Sequence, residues 1–239
     1  MDPRAKEDRM NVQFSAKGSR GEIWLYDQIG QSFWGDGISA KAFQKELAAL
    51  GKVSTISLRI NSPGGDVFDG FAIYNQLAQH PAAIEVTVDG LAASIASIIA
   101  MAADPGKLSM AKNAMMMIHD PSGMALGGES EMLRVAALLK TIKGNLVETY
   151  VDRTGAKSTD VESWMSDETW FTAESALQHG FADSLTTESA VTACFDVRNF
   201  RNVPEKLRLR MQQATAQPVL DMRRQRLHDQ QRRAEALRN

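Results

Sequence analysis

The chain contains little cysteine, little proline and no long apolar run. Of its 239 residues, 1 is cysteine and 7 are proline. The single cysteine, Cys194, excludes an intramolecular disulfide and predicts a reducing, cytoplasmic setting. The longest mainly apolar segment, Leu91 to Ala103, has 13 residues, which is too short to span a bilayer. Residues 1–14 lack the apolar run of a secretion signal. We therefore expect neither a membrane protein nor a secreted one.

Charge is distributed unevenly along the chain. The net charge is −2, but the segment from Arg198 to Asn239 holds 11 Lys and Arg against 4 Asp and Glu. The whole chain of 239 residues, of which 44% are hydrophobic, is long enough for one main domain. We predict an N-terminal extension over 1–20, a domain over 21–190 and a basic tail over 191–239, helical or partly disordered. Nucleic-acid binding is not expected, because Phe200 is the only aromatic residue from Arg198 to Asn239 and no recognition motif occurs.

Apolar residues follow a pattern in which strands and helices alternate. Strands are predicted at 22–26, 55–61, 84–88, 107–110 and 114–118. Helices are predicted at 39–50, 67–80, 95–103 and 130–153. Repeated strand–helix units predict an α/β fold with a largely parallel sheet. The longest helix carries more apolar residues at helical spacing than one small sheet covers; they are Met132, Val135, Leu139, Ile142 and Leu146.

Residues suited to acyl transfer stand at the ends of three predicted strands. Ser94 lies between strand 84–88 and the following helix, and His119 follows strand 114–118. A serine hydroxyl is a weak nucleophile that needs a base within hydrogen-bond reach, most often a histidine. Backbone N–H groups at a helix N-terminus, and in a turn such as Gly64–Gly65, stabilise negative charge on a carbonyl oxygen.

Each of these features also has a simpler interpretation. A serine at a strand-to-helix junction often only caps the helix, and a histidine after an apolar strand is often structural. Pro63, Gly64 and Gly65 alone indicate only a turn. Because all three features occur in order, each at the end of a predicted strand, their combination favours the catalytic interpretation.

Three segments resemble the signature blocks of a known family. NSPGG (61–65), GLAAS (90–94) and MMIHDP (116–121) are similar to those of the Clp protease proteolytic subunit, a family of self-compartmentalising serine peptidases. The resemblance covers roughly residues 21–185. The segments GEIWLYDQIG (21–30) and ETWFTAESALQHGFAD (168–183) are closer to its phage and prophage branch, which is associated with capsid or prohead maturation.

The resemblance implies a fold of the Clp protease and crotonase type and assigns roles to four residues. Ser94 matches the nucleophile and His119 the general base. The N–H groups of Gly65 and Ile95 match the oxyanion hole. No cofactor and no metal are implied.

The third member of the family's triad is where this sequence departs from the pattern. The family has an aspartate two residues before a phenylalanine, and the matching residue before Phe171 is Thr169, which carries no charge. In an extended segment Asp167 would share a face with Thr169, and Glu168 would point to the opposite face. Asp167 is therefore the predicted orienter of His119. Thr169 or a backbone carbonyl is the open alternative.

The residues and the resemblance together predict a serine endopeptidase that cleaves polypeptides through an acyl-enzyme. The resemblance to the phage branch implies a role in capsid maturation, in the host cytoplasm or an assembling prohead. The resemblance implies homo-oligomeric rings, stacked in pairs through helix 130–153. Further predicted partners are capsid or scaffold proteins bound through the basic tail, or an ATPase unfoldase. Three alternatives stay open: a housekeeping ATPase-dependent Clp subunit, a catalytically silent ring subunit, and a crotonase-type enzyme that uses neither Ser94 nor His119.

Overall fold

The computed structural model describes residues 12–30, 37–187, 200–205 and 207–209. The chain divides into two units, residues 1–191 and residues 192–239. In the second unit, the amides of Leu207 and Arg208 donate to the carbonyl of Pro204 in a short helical turn. Most of the predicted tail and the first half of the predicted N-terminal extension lie outside the described residues.

Eight strands of the first unit form one sheet. They are β1 (Val12–Lys17), β2 (Arg20–Leu25), β3 (Thr55–Ser62), β4 (Ala83–Ala93), β5 (Leu108–Ala111), β6 (Met115–Ile118), β7 (Thr169–Thr172) and β8 (Ser184–Thr186). The strand order is β1-β2-β3-β4-β5-β8, and β6 pairs with both β4 and β7. Only the β1–β2 and β6–β7 pairs are antiparallel. The predicted α/β fold with a largely parallel sheet is confirmed.

Strand β4 is the central element because it changes partner along its length. Residues 86–88 pair with β5, and residues 91–93 pair with β6. The sequence predicts a strand that ends at Val88, because Gly90 and the small residues after it are uncommon in strands. Pairing with β6 extends β4 to Ala93, so it ends immediately before Ser94.

Six helices are described. They are α1 (Ala40–Ala49), α2 (Val67–Ala78), α3 (Ile95–Ala100), α4 (Glu129–Thr154), α5 (Ser158–Ser166) and α6 (Ala173–Gln178). Ser39 caps α1 by accepting from the amide of Ala42 at 3.2 Å. Asp66 caps α2 by accepting from Phe68 and Asp69. None of the described helices combines the length and the apolar character needed to cross a membrane.

The predicted helices correspond to α1–α4, and the five predicted strands to β2–β6. Sequence analysis missed β1 and β8 and did not assign α5 or β7 as elements, whereas the resemblance implies a helix at 172–180, which is α6. Strands β7 and β8 are only four and three residues long, and such short strands depend on their sheet partners more than on their own apolar pattern.

Helix α4 is buried along only half of its length. Its four buried residues, Ile142, Leu146, Val147 and Tyr150, all lie in the C-terminal half. In the N-terminal half the large apolar residues Met132, Leu133 and Leu138 are exposed. Half of this 26-residue helix therefore extends beyond the apolar core of its own chain.

Helix α3 is buried along its whole length, and α2 packs closely against it at Gly70. A Cβ at Gly70 would lie 2.1 Å from Cγ1 of Ile95, the first residue of α3. Real Cβ atoms do not approach that closely, so glycine is needed here for the two helices to pack. The contact places the start of α3, and with it the peptide after Ser94, at a fixed distance from α2.

We therefore expect Gly70→Ala to lower the free energy of unfolding by about 1–3 kcal/mol, because the added methyl overpacks this contact. Gly144→Ala is the matched control, since Gly144 lies within α4 with no atom near an added Cβ. That change should raise the free energy of unfolding by roughly 0.5–1 kcal/mol through helix propensity. Urea unfolding measures both, and an equally stable Gly70→Ala variant would show that the helices separate at little cost.

Candidate active site

Ser94 forms the sharp turn between β4 and α3. Its backbone has φ 53° and ψ −131°, a conformation that non-glycine residues rarely adopt. The Ser94 amide donates to the carbonyl of Met117 on β6 at 2.9 Å, which holds the turn against the neighbouring strand. The hydroxyl makes no capping hydrogen bond to α3, so the helix-cap interpretation does not apply.

His119 follows β6, and its Nε2 atom lies 2.8 Å from the hydroxyl oxygen of Ser94. The register explains this contact, because β4 and β6 are parallel neighbours with Ala93 opposite Met117. Their carboxyl ends therefore deliver residues 94 and 119 to the same edge of the sheet. The structure brings together the two residues that sequence analysis paired across 25 positions, at the distance that proton transfer requires.

The Gly64–Gly65 turn lies directly against Ser94. Both glycines have positive φ, 90° and 149°. A Cβ at Gly64 would lie 2.7 Å from Cβ of Ser94, and one at Gly65 would lie 2.0 Å from the carbonyl oxygen of Ile29. Ile29 holds the turn from the other side, since its amide donates to Gly64 and its carbonyl accepts from Asp66. No residue with a side chain fits either position without displacing the backbone.

A cleft of about 210 Å³ opens beside Ser94 and His119. Gly65 and Ile95, the two predicted oxyanion donors, both line it. Ile95 is the first residue of α3, so its amide has no partner within the helix. The other lining residues are mainly apolar and include Val67, Phe68, Pro121, Leu146 and Tyr150. The cleft is smaller than typical small-molecule pockets and suits a single substrate side chain.

Asp167 lies at the C-terminal cap of α5, and the reasoning that selected it is corrected by the backbone. Asp167 has φ −82° and ψ −5°, which is helical, and Glu168 has φ 50°. The segment becomes extended only at Thr169, so the alternation of faces assumed for residues 167–169 does not hold. The Asp167 carboxylate lies 3.4 Å from the hydroxyl of Ser163 on its own helix. Its role toward His119 remains a prediction.

Thr169, the open alternative, donates its hydroxyl hydrogen to the carbonyl of Trp164 at 2.7 Å. The same hydrogen is not available to any other acceptor. Thr169 faces Ile118, the residue before His119, across the antiparallel β6–β7 pair. The backbone of Thr169 is therefore close to the base, and its hydroxyl oxygen keeps lone pairs that can accept from an imidazole N–H.

Glu168 is a buried carboxylate, and the assumption of an extended segment wrongly assigned it to the face opposite Asp167. Its side chain is 4% exposed, and the indole N–H of Trp170 donates to it at 3.4 Å. Continuing the β6–β7 register by one step puts Glu168 opposite His119, because Thr169 is opposite Ile118. The Met165 carbonyl accepts from the amides of both Glu168 and Asp120, which ties the two backbones together at this point.

One signal for Glu168 was present in the sequence. It is a charged residue in a segment with large apolar neighbours on both sides, at 164–165 and 170–171. A carboxylate in such surroundings is costly to bury unless a cation or several donors face it. The left-handed backbone that removes the alternation of faces has no comparable signal, because glutamate is not a residue that favours positive φ.

Asp120, next to the base, belongs to a different interaction. Its carboxylate lies 2.7 Å from Nζ of Lys143 on α4 and accepts from the hydroxyl of Ser166 on α5 at 3.3 Å. The pair is part-exposed and contributes little to stability by itself. It fixes the direction of the chain after His119 relative to both helices.

A serine in a strained strand-to-helix turn, a histidine at hydrogen-bond distance and a glycine turn beside them define a nucleophile–base site on an α/β fold. The Clp protease family model matches residues 14–189. The chain therefore belongs to the Clp protease family.

The chain is also similar to individual Clp proteins from bacteria. It is 37% identical over 151 residues to the ATP-dependent Clp protease proteolytic subunit 1 of Protochlamydia amoebophila (strain UWE25), covering 62% of this chain and 72% of that protein. It is 33% identical over 144 residues to subunit 2 of Mycolicibacterium paratuberculosis (strain ATCC BAA-968 / K-10), covering 60% and 72%. Subunit 1 of Leifsonia xyli subsp. xyli (strain CTCB07) is 32% identical over 171 residues, covering 72% and 85%.

Proposed function

We propose that this protein is a serine endopeptidase with Ser94 as the nucleophile and His119 as the general base. The observation that carries the proposal is the 2.8 Å contact between Ser94 Oγ and His119 Nε2, beside the glycine turn. The relatives are named as proteolytic subunits, which supports a peptide bond as the substrate.

The reaction follows from the positions of these groups. His119 accepts the hydroxyl proton as Ser94 Oγ attacks the carbonyl carbon of the peptide bond. The N–H groups of Gly65 and Ile95 stabilise the oxyanion of the tetrahedral intermediate. His119 then donates the proton to the leaving amine, and an acyl-enzyme remains on Ser94. Water activated by His119 attacks the ester, releases the acid product and restores the serine.

Two other classes are less well supported by the site. A crotonase-type enzyme would need the glycine turn but would have no use for the Ser94–His119 contact. A catalytically silent ring subunit has no need for a strained serine backbone, which costs on the order of 1–3 kcal/mol to maintain. The contact and the strain together favour an active hydrolase.

For the biological role we propose capsid or prohead maturation, with a polypeptide of the assembling capsid as the substrate. The support is the similarity of segments 21–30 and 168–183 to the phage and prophage branch. The basic segment from Arg198, beyond the matched residues 14–189, is the proposed tether to a capsid or scaffold protein. The alternative is a subunit supplied with substrate by an ATPase, as the names of the relatives indicate for those proteins.

Cleavage of a fluorogenic peptide by the wild type and by Ser94→Ala tests the activity. The variant should lose on the order of 10⁴-fold or more in kcat/KM, because the nucleophile is gone. Undiminished cleavage by Ser94→Ala would refute the proposal.

Cleavage of a co-expressed capsid or scaffold protein without ATP or an ATPase supports the maturation role. Protein cleavage only with an ATPase and ATP would assign the alternative role.

We also propose that Glu168 orients His119, and Asp167→Asn serves as the comparison. A carboxylate that holds the imidazole keeps the correct nitrogen facing Ser94 and stabilises the imidazolium. Glu168→Gln should then lower kcat by roughly 10²–10⁴-fold with little change in KM. Asp167→Asn should change kcat less than about threefold, because this carboxylate lies at the end of α5 beside Ser163. The reverse order of effects would restore Asp167 as the orienting residue.

We further propose that α4 joins copies of this chain into a ring assembly. The exposed Met132, Leu133 and Leu138 on its projecting half, with Met124 and Leu126 in the preceding loop, support a second copy as the covering surface. Native mass spectrometry at micromolar concentration should show a multimer that Leu133→Glu dissociates. Leu177→Glu is the matched control, because Leu177 is an exposed leucine on α6. A monomeric wild type would contradict the ring.

A further inference from the structure

Two buried hydroxyl groups, one of them on the cleft-lining residue Tyr150, lie next to the nucleophile and take no part in the chemistry described above. Ser97 lies on α3 and Tyr150 lies on α4, and both side chains are buried. Their hydroxyl oxygens are 2.8 Å apart. The Ser97 hydroxyl is also 2.5 Å from the backbone carbonyl oxygen of Ser94. The three groups form a continuous chain of hydrogen bonds from the long helix to the backbone of the nucleophile.

The direction of this chain follows from the number of hydrogens. Each hydroxyl group carries one hydrogen, and a carbonyl oxygen can only accept. The Ser97 hydroxyl donates to the Ser94 carbonyl, so its hydrogen is used there. The Tyr150 hydroxyl must therefore donate to Ser97. Burial raises the pKa of the Tyr150 phenol well above its ordinary value, so this donor stays protonated at any pH at which the protein is assayed.

The Ser94 carbonyl belongs to the same peptide group as the N–H of Ile95. In a planar trans peptide the C=O and the N–H point in opposite directions, so fixing one fixes the other. The carbonyl accepts two bonds, from the Ser97 hydroxyl and from the Ser97 amide at 2.9 Å. Donors on a carbonyl oxygen also polarise the peptide group and strengthen the N–H as a donor. The chain of hydrogen bonds therefore acts on the amide of Ile95 at the far side of the peptide.

Packing alone does not account for these two hydroxyl groups. Ser97 stands among Ile95, Ile98 and Ile99 in a fully buried helix, where alanine has a better helix propensity. The Tyr150 ring packs edge-on against Phe181 with centroids 5.7 Å apart, a contact that phenylalanine would make equally well. What the hydroxyls add is the connection to the Ser94 carbonyl.

We propose that Tyr150 and Ser97 are positioning residues that aim the Ile95 N–H at the oxyanion by holding the Ser94–Ile95 peptide plane. The inference rests on the proposed function, because it gives the amide of Ile95 a role in stabilising the tetrahedral intermediate. Interactions that exist only in that intermediate raise kcat without changing how the substrate is bound.

Tyr150→Phe tests this most cleanly, because it removes one oxygen atom and keeps the ring. We expect kcat to fall roughly 5- to 30-fold, as for the loss of one buried hydrogen bond, with KM unchanged. Ser97→Ala removes the direct donor and should cost roughly 10- to 100-fold. Ser97→Thr, which keeps a hydroxyl, should recover part of that loss. The midpoint of urea unfolding identifies a variant that is simply destabilised.

A second readout separates positioning from a general structural role. A peptide aldehyde adds to the serine and presents an oxygen to the oxyanion donors, whereas a product peptide does not. Tyr150→Phe should lower the affinity for the aldehyde by the same factor as it lowers kcat, and should leave the affinity for the product peptide unchanged. Tyr26→Phe is the matched control, because its hydroxyl donates to Asp89 at 2.5 Å, away from the cleft residues. It should leave both values unchanged.

An unchanged kcat in Tyr150→Phe would overturn the inference. A KM that rises by the same factor as the product-peptide affinity falls would also overturn it, because that result indicates a damaged cleft. Failure of the proposed function has a different signature. In that case the wild type itself neither cleaves peptides nor forms an adduct with the aldehyde.

Discussion

The rest of the site depends on the backbone turn at Ser94, which is held from several sides at once. The Ser94 amide is bonded to β6, its carbonyl is bonded to Ser97, and the Gly64–Gly65 turn fills the space in front of it. Such a strained conformation persists only where the surrounding structure determines it fully. The same contacts that force the turn also place the Ser94 hydroxyl 2.8 Å from His119. The strain and the geometry of the site therefore have one structural origin.

The elements that determine this turn are those with a strong signal in the sequence. The apolar strands that become β3, β4 and β6, the glycine pair and the buried helix after Ser94 were all predicted, and together they place Ser94, His119 and Gly65 at one edge of the sheet. Parallel strands deliver their carboxyl ends to the same side, so strand order alone brings these residues close. The need for glycine at position 70 could not be predicted from the sequence, because it depends on the distance between α2 and α3.

The surroundings of the base were harder to predict because they depend on short elements and on one unusual backbone angle. Strand β7 has four residues, and its register against β6 follows from tertiary packing more than from its own pattern. The positive φ of Glu168 breaks the alternation on which the choice of Asp167 depended. Likewise, the Ser97–Tyr150 pair joins residues 53 positions apart on two helices, and nothing in the spacing of one helix indicates a partner on the other.

The central claim is that the site activates one particular serine. Its most direct test is to treat the protein with a fluorophosphonate and to locate the adduct by fragmentation mass spectrometry. The account predicts one phosphonylated residue, Ser94, with Ser97 unmodified three positions along the same peptide and no adduct in His119→Ala. Ser97 is a good internal reference because it is a buried serine hydroxyl without a histidine. No adduct on the wild type, or an adduct on another serine, would contradict the account.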